Sequence, residues 1–497
     1  MAETYKMLID GEWVVSESGE TFDVINPATE TVIAKAQKSS RGDVKKAIAA
    51  ARRAFDNGSW SNKTPGERAQ VLWKLAELVE SNLNKFAKLE SANVGKTIKY
   101  ARDSDMPFII DNLKFFSGAA RVLEGKSAGN YSGIGMSIIK REPIGVVAAI
   151  VPWNYPLYIA VWKLAPALAA GDTVVIKPAS RTPITLLEFA KLANSLLPKG
   201  VLNVVTGPGD VVGEEMASNE DVDCIAITGD TSTGKEIMRL ASKNVKRVQL
   251  ELGGKAPFIV LPDASIDAAT EGAVVSAFWN SAQDCTATTR VLVHESMYDD
   301  FIELLVKKAK KIRIGDPADE KTDMGPLISD SQRKRTEDYV KATIAEGGKL
   351  LCGGARPENL KKGFFFEPTI FSDVKQTMRI CKEEIFGPVL TVLKYSSVDD
   401  AIEKANDVVY GLAASVWGKD ITTLIKVANS LRFGTVWINE HGVLVSEMPH
   451  GGFKQSGFGK DLSMYALEDF TQIKHIYIDQ TGLVRKPWYY VVYGDKE

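Results

Sequence analysis

From Gly145 onward the chain alternates short apolar runs with helical stretches, and that alternation restricts its fold more than any other feature. Five runs come in succession, at residues 146–151, 173–176, 201–205, 224–227 and 248–250. Runs this short and this continuously apolar suit strands covered on both faces, so a mostly parallel sheet with helices on each side is expected. Such a doubly wound unit commonly binds a dinucleotide. The strict GxGxxG fingerprint is missing. Instead, Gly207-Pro208-Gly209 with Gly213, and Thr228-Gly229-Asp230-Thr231-Ser232-Thr233-Gly234, each stand between a strand and a helix. Either can turn backbone N–H groups toward a phosphate at a helix N-terminus, although a glycine after a strand is more often simply a turn.

A second α/β stretch covers 257–450, with apolar segments at 257–261, 290–294, 388–394, 413–417 and 434–439. Ahead of both, Leu8-Ile9-Asp10-Gly11-Glu12-Trp13-Val14 reads as a hairpin turned by Asp10-Gly11. Residues 43–55 repeat Val44, Ile48, Ala51 and Phe55 at helical spacing. The run 67–92 reads as one long helix with Val71, Leu72, Leu75, Leu78, Val79, Leu83 and Phe86 along one side. Two alternating segments, 136–141 and 472–478, read as edge strands available to another subunit.

Lysine plus arginine (61) and aspartate plus glutamate (63) nearly cancel. With no long single-sign block, nucleic acid and membrane surfaces are not expected partners, and a small-molecule site is the default. The four cysteines and four histidines show no CxxC or HxxxH spacing, so neither a metal site nor a disulfide framework is expected, and a reducing, cytoplasmic location fits. The N-terminus opens polar, without the apolar run and small-residue cleavage site of a secretion signal, which reads as a soluble, unprocessed chain.

Within the second stretch, Phe278-Trp279-Asn280-Ser281-Ala282-Gln283-Asp284-Cys285-Thr286 sets a single cysteine between an apolar helical run and a strand-like segment. An isolated cysteine is more often an inert packed side chain than a nucleophile. Three further stretches change that weighting: Pro152-Trp153-Asn154-Tyr155-Pro156 after the first core strand, Glu251-Leu252-Gly253-Gly254-Lys255 after the fifth, and Glu383-Glu384-Ile385-Phe386-Gly387-Pro388. In this order, over nearly the whole chain, they resemble the aldehyde dehydrogenase superfamily, closest to its aminobutyraldehyde and betaine-aldehyde branch.

The resemblance implies an α/β aldehyde dehydrogenase-like fold: a Rossmann-type dinucleotide-binding domain from 1–124 and 144–256, and an α/β catalytic domain at 257–455. A β-strand oligomerisation arm and C-terminal tail would come from 125–143 and 471–497. The implied activity is NAD(P)-dependent oxidation of an aldehyde to its acid. Cys285 attacks the carbonyl carbon to form a thiohemiacetal, and Asn154 with the Cys285 N–H holds the oxyanion. Hydride loss leaves a thioester, which water activated by Glu251 hydrolyses. Lys163 matches a lysine in a proton path, against the competing reading of a surface lysine. Asp461 stands where many relatives carry a second, longer acid.

By the same resemblance Ile150, Trp153, Lys177, Ser180, Arg181, Gly209, Gly213, Gly229, Asp230, Leu252, Glu384 and Phe386 contact the cofactor. Where NAD-preferring relatives often carry glutamate, this chain has Ser180, followed by Arg181. The loss of a carboxylate that repels a 2′-phosphate, with a cation beside it, favours NADP over NAD. Asp230 replaces the usual serine of the phosphate-proximal turn, and capping the next helix is its expected role. The substrate tunnel falls on Tyr155, Trp162, Trp279, Val443, Glu447 and His450, an aromatic funnel that suits an ω-amino aldehyde, with Glu447 or Asp111 as counter-charge, or a broad range of aliphatic and aromatic aldehydes. The aromatic tail 481–493 is expected to cover a neighbouring subunit in a homodimer or homotetramer. Two alternatives are a coenzyme-A-acylating relative, which would not need Glu251 as a hydrolytic base, and a non-catalytic structural relative.

Overall fold

The computed structural model of the protein describes residues 3–494, so the tail is seen as far as Gly494 and residues 1–2 and 495–497 of the expected segments lie outside it. Two large sheets organise the chain. The first has eight strands in the order Gly457–Phe458, Arg247–Leu252, Cys224–Gly229, Val146–Ile150, Thr173–Lys177, Leu202–Val204, Met7–Ile9 and Glu12–Val14. Its five central strands are the five apolar runs, and all pair in parallel. The hairpin closes one edge, with Asp10 (φ 53°) and Gly11 (φ 78°) supplying the left-handed turn that matches strand twist.

The second sheet has seven strands in the order Lys349–Cys352, Thr369–Ser372, Val389–Tyr395, Thr288–His294, Ala256–Val260, Ala413–Trp417 and Thr435–Ile438. Only the edge pair Lys349–Cys352 with Thr369–Ser372 is antiparallel, and neither of those strands carries a long enough apolar run to be legible in sequence. Three residues, Gly253, Gly254 and Lys255, pass the chain from the end of Arg247–Leu252 in the first sheet to Ala256–Val260 in the second. That short link joins interior strands of the two sheets at one place.

Beside the first sheet lies the helix Pro156–Ala170, buried at nearly every position and packed in the largest hydrophobic cluster with Leu72, Leu75, Phe116 and Leu467. The run 67–92 is two helices, Pro65–Ser81 and Leu83–Val94, rather than one. Asn82 interrupts it: its backbone leaves the helical region (φ −110°, ψ 13°), and its side-chain amide donates to the Leu78 carbonyl at 2.8 Å. An asparagine that offers its own hydrogen bonds to the backbone competes with helix continuation, while the apolar spacing carries on across it.

The segment 136–141 is not a free edge. The strand Gly135–Pro143 lies in the middle of a three-stranded sheet, between Ala128–Gly129 and Thr471–Asp479, paired with the latter over nine residues. Alternation correctly marks both segments as strands and says nothing about which chain each one pairs with. Only Thr471–Asp479 keeps one side open, and it is exposed from Gln472 onward. The tail beyond it ends in a short helix, Tyr490–Tyr493, with Val484 98% and Val492 78% exposed. No described helix is long and apolar enough to cross a membrane.

Candidate active site

Cys285 is delivered by a strained turn. The helix Ile266–Phe278 ends, and Asn280, Ser281 and Ala282 follow with φ of 44°, 57° and 59°. Three consecutive non-glycine residues in the left-handed region cost free energy, on the order of 1 kcal/mol each, and persist only where the surroundings hold them. The holds are visible. Asn280 Nδ2 donates to the Asn154 carbonyl at 3.1 Å, Ser281 Oγ to the Gly325 carbonyl at 2.8 Å, and Gln283 Oε1 accepts the Ile328 N–H at 2.8 Å. On the far side, His441 Nε2–H donates to the Thr286 carbonyl at 2.8 Å while its Nδ1 accepts from Ser415 Oγ at 2.9 Å. Burial presses the His441 pKa down to about 4, so the ring is a neutral brace.

The two glycines of Glu251-Leu252-Gly253-Gly254 now have separate reasons. A Cβ on Gly254 would collide with the Cys285 carbonyl, and one on Gly253 with the Glu384 carboxylate. Only bare backbone lets the strand carrying Glu251 approach the turn carrying Cys285. Asn154 comes in from the loop between Val146–Ile150 and the buried helix, and one of its Nδ2 hydrogens goes to the Gln283 carbonyl at 3.0 Å.

Cys285 stands where two cavities meet. The larger, about 750 Å³, is walled by Tyr155, Tyr158, Trp162, Trp279 and Phe108, with Val443 and Glu447 at its exposed mouth and His450 near its base. All six residues expected in the substrate tunnel line it. Asp103, Asp111, Asp284, Glu440 and Glu447 line it too, and no lysine or arginine does among the described residues. The smaller cavity, about 250 Å³, is lined by Trp153, Asn154, Gly229, Asp230, Glu251, Leu252, Cys285, Glu384 and Phe386.

The other expected cofactor positions sit apart from that junction. Ser180 and Arg181 line a third cavity of about 260 Å³ together with Lys38, a residue that no motif flagged. Lys177 is buried, donates to the Pro178 carbonyl at 3.1 Å, and has its pKa lowered by that burial to about 8. Gly209 and Gly213 bound a single π-helical turn, with Ile150 packed against Gly213. Asp230 caps the helix Thr231–Ala241, accepting the Ser232 N–H at 2.7 Å.

The electrostatics separate the acids. Burial, then the nearby Glu251 and Asp284 carboxylates, holds the Cys285 thiol well above the usual cysteine range. Burial lifts Glu384 to about 7, opposed by the Gly254 N–H that its carboxylate accepts at 2.8 Å. Lys163 is fully buried, not on the surface, and its Nζ bonds both oxygens of Asp461 at 2.8 and 2.7 Å. Behind the tunnel wall, buried Lys96 is paired with Asp105 and lies 3.6 Å above the Tyr155 ring, while Tyr155 Oη–H donates to Asp284 at 2.7 Å. Spacing offers no sign of this support, because its members come from separate helices and loops.

Comparison with known proteins agrees with this geometry. The model of the aldehyde dehydrogenase family matches residues 13–476. Betaine aldehyde dehydrogenase of Bacillus subtilis is 48% identical over 474 residues, covering 95% of this chain and 96% of the relative. Human aldehyde dehydrogenase 1A1 is 43% identical over 477 residues, 95% and 94% of the two chains. The crystal structure of Staphylococcus aureus betaine aldehyde dehydrogenase in complex with NAD+ superposes with a TM-score of 0.95 at 40% identity, over 96% of each chain. The chain belongs to the aldehyde dehydrogenase family.

Proposed function

We propose that this NAD(P)-dependent aldehyde dehydrogenase oxidises a cationic aldehyde, an ω-amino or quaternary-ammonium aldehyde, to its carboxylic acid. The observation that carries the reading is Cys285 at the meeting point of two cavities, one walled by aromatics and carboxylates and the other by Glu251, Asn154 and Glu384. A cation gains from aromatic faces and from acids with no opposing base. The name of the Bacillus subtilis relative points the same way.

In this reading the Cys285 thiol gives up its proton to solvent and Sγ adds to the aldehyde carbon, with Glu251 beside the sulfur still ionised. The oxyanion of the thiohemiacetal is held by the Cys285 N–H and by the second Nδ2 hydrogen of Asn154, left over from its bond to Gln283. The smaller cavity fits a nicotinamide riboside: Trp153 and Phe386 meet edge to face at 5.3 Å, and Glu384 stands where Gly253 leaves room for its carboxylate. Trp153, Leu252, Glu384 and Phe386 would hold that group, with Lys177, Ser180, Gly209 and Gly229 toward the adenosine and pyrophosphate. When bound, it supplies the hydride acceptor. Glu251 then takes a proton from the water that attacks the thioester on Cys285, and Lys163 with Asp461 continues the proton route. Presence of Glu251 favours release of free acid over acyl transfer to coenzyme A.

We assign NADP as the preferred cofactor, with NAD accepted, because Ser180 stands in place of a glutamate and shares one cavity with Arg181 and Lys38; Asp23 lines that cavity too, and Lys38 is paired with Glu20 at 2.8 Å. The open edge of Thr471–Asp479 and the exposed aromatic tail support a homodimer or homotetramer, and four free cysteines suit the cytoplasm. The domain division at 256/257 is assigned one residue into the strand Ala256–Val260, just past the link between the two sheets. A kcat/KM series with 4-aminobutanal, hexanal and benzaldehyde tests the substrate: the amine should lead, and a flat or inverted order rejects it. An NADP to NAD ratio of kcat/KM below one rejects the cofactor assignment, and removal of residues from Gly482 onward should weaken the oligomer or alter KM.

A further inference from the structure

Three groups from three separate elements converge on one point. Cys285 follows the strained turn, Glu251 is the penultimate residue of the strand Arg247–Leu252, and His450 belongs to a loop tied at both N–H and C=O to Asp461, at 2.8 and 2.7 Å. The sulfur, a carboxylate oxygen and an imidazole nitrogen lie within 4.8 Å of one another, with His450 Nε2 3.8 Å from Glu251 Oε1. Glu251 is 2% exposed and His450 1%. Neither oxygen of Glu251 and neither ring nitrogen of His450 has a hydrogen-bond partner among the described residues. A buried polar atom without a partner costs about 1–3 kcal/mol. One such oxygen and one such nitrogen beside a single thiol make a ligand set without a partner of its own.

We propose that Cys285, Glu251 and His450 form a zinc-binding site, with a fourth position open to the substrate cavity, and that its occupancy switches the enzyme off. Thiolate, imidazole and carboxylate are the three protein donors zinc takes, and three protein ligands with one open position is its usual arrangement outside closed structural sites. Tetrahedral bonds of about 2.0–2.3 Å place ligand atoms about 3.3–3.7 Å apart, so contraction by roughly an ångström closes the site. As the Zn–S bond forms, the S–H bond breaks and its proton goes to solvent; nothing is oxidised or reduced. The ion occupies the sulfur that must attack the aldehyde and the carboxylate that must accept a proton.

The test uses the purified full-length chain, stripped with a chelator. It is titrated with Zn²⁺ by calorimetry and with Co²⁺ as a spectroscopic probe. The expected result is one ion per chain, proton release, a near-ultraviolet thiolate-to-cobalt charge-transfer band, and a loss of aldehyde oxidation that tracks zinc occupancy and is reversed by chelator. His450→Phe keeps an aromatic ring against Trp162, 5.3 Å from the imidazole, and removes the donor. It should weaken zinc binding by at least about 10- to 100-fold, the loss that even indirect metal partners produce. Thermal melting and cofactor binding report that the variant is folded. Cobalt bound without the thiolate band overturns the proposal, as does a folded His450→Phe protein that binds zinc as tightly as the parent. Because the titrations need no turnover, a failed zinc site leaves the aldehyde reading standing, and failed aldehyde oxidation leaves the titrations interpretable.

Discussion

Two buried acids close to the reaction centre are treated in opposite ways. Asp461 and Glu251 are almost equally hidden, at 1% and 2% exposure. Both oxygens of Asp461 are taken by Lys163, whereas both oxygens of Glu251 are without a partner among the described residues. A carboxylate whose lone pairs are committed to a fixed cation serves the architecture and can pass charge only through that cation. A carboxylate buried beside a thiol with no hydrogen-bond partner among the described residues is available to accept a proton. The difference teaches where to look for the base: accounting for hydrogen bonds separates the two acids when burial does not.

The strongest way to break this comparison is Glu251→Gln, which should lower kcat by about 10²- to 10⁴-fold, the usual range for a lost general base. If Glu251 serves hydrolysis, a pre-steady-state burst of reduced cofactor survives in the variant; loss of the burst together with kcat would move its role to thiol activation. Next, Lys163→Met leaves Asp461 as an uncompensated buried acid and should cost about 3–5 kcal/mol of stability, read by denaturant unfolding. Lys163→Met with Asp461→Leu should recover most of that loss, and a kcat deficit persisting in the double variant measures the proton route apart from stability. Asn154→Ala should reduce kcat by about 10²- to 10³-fold with KM little changed, as expected when one oxyanion donor is removed.

The smallest expected effect sharpens the electrostatic side. Because burial, Glu251 and Asp284 all raise the Cys285 pKa, the neutral thiol is the more stable form and the thiolate fraction grows only as pH rises past the usual cysteine range. Alkylation of the cofactor-free protein by iodoacetamide should therefore accelerate with pH without levelling near 8.5, the ordinary thiol midpoint, by about the factor of ten per unit that simple ionisation gives. Glu251→Gln removes one raising charge and should speed alkylation at neutral pH. A profile that plateaus below the ordinary midpoint, or a slower Glu251→Gln variant, contradicts the assigned neighbours.

Much of the fold was legible because its signals are local. Short apolar runs bounded by turns marked all five central strands of the first sheet, and Asp10-Gly11 marked its edge hairpin. Asp230 was legible as a helix cap, since an N-cap needs only a short polar side chain at one position. The break at Asn82 was not, because the apolar stripe continues across it while a side-chain hydrogen bond stops the backbone. The cluster of Glu251, Cys285 and His450 on which the zinc proposal rests was not legible either, because it is assembled from positions far apart in the chain. Lys38, Lys96 and His441 were invisible for the same reason: each matters through what packs against it.

What the sequence determined by itself was the class of the fold and the candidate nucleophile, because apolar periodicity and the order of four motifs survive without coordinates. Only the tertiary structure decided which acid is free and which is paired, which strand edge is open, and what supports the left-handed turn under Cys285. Those outcomes depend on distances between side chains brought together by packing, and a one-dimensional pattern carries the residue types but not the approach of one backbone to another that Gly253 and Gly254 permit.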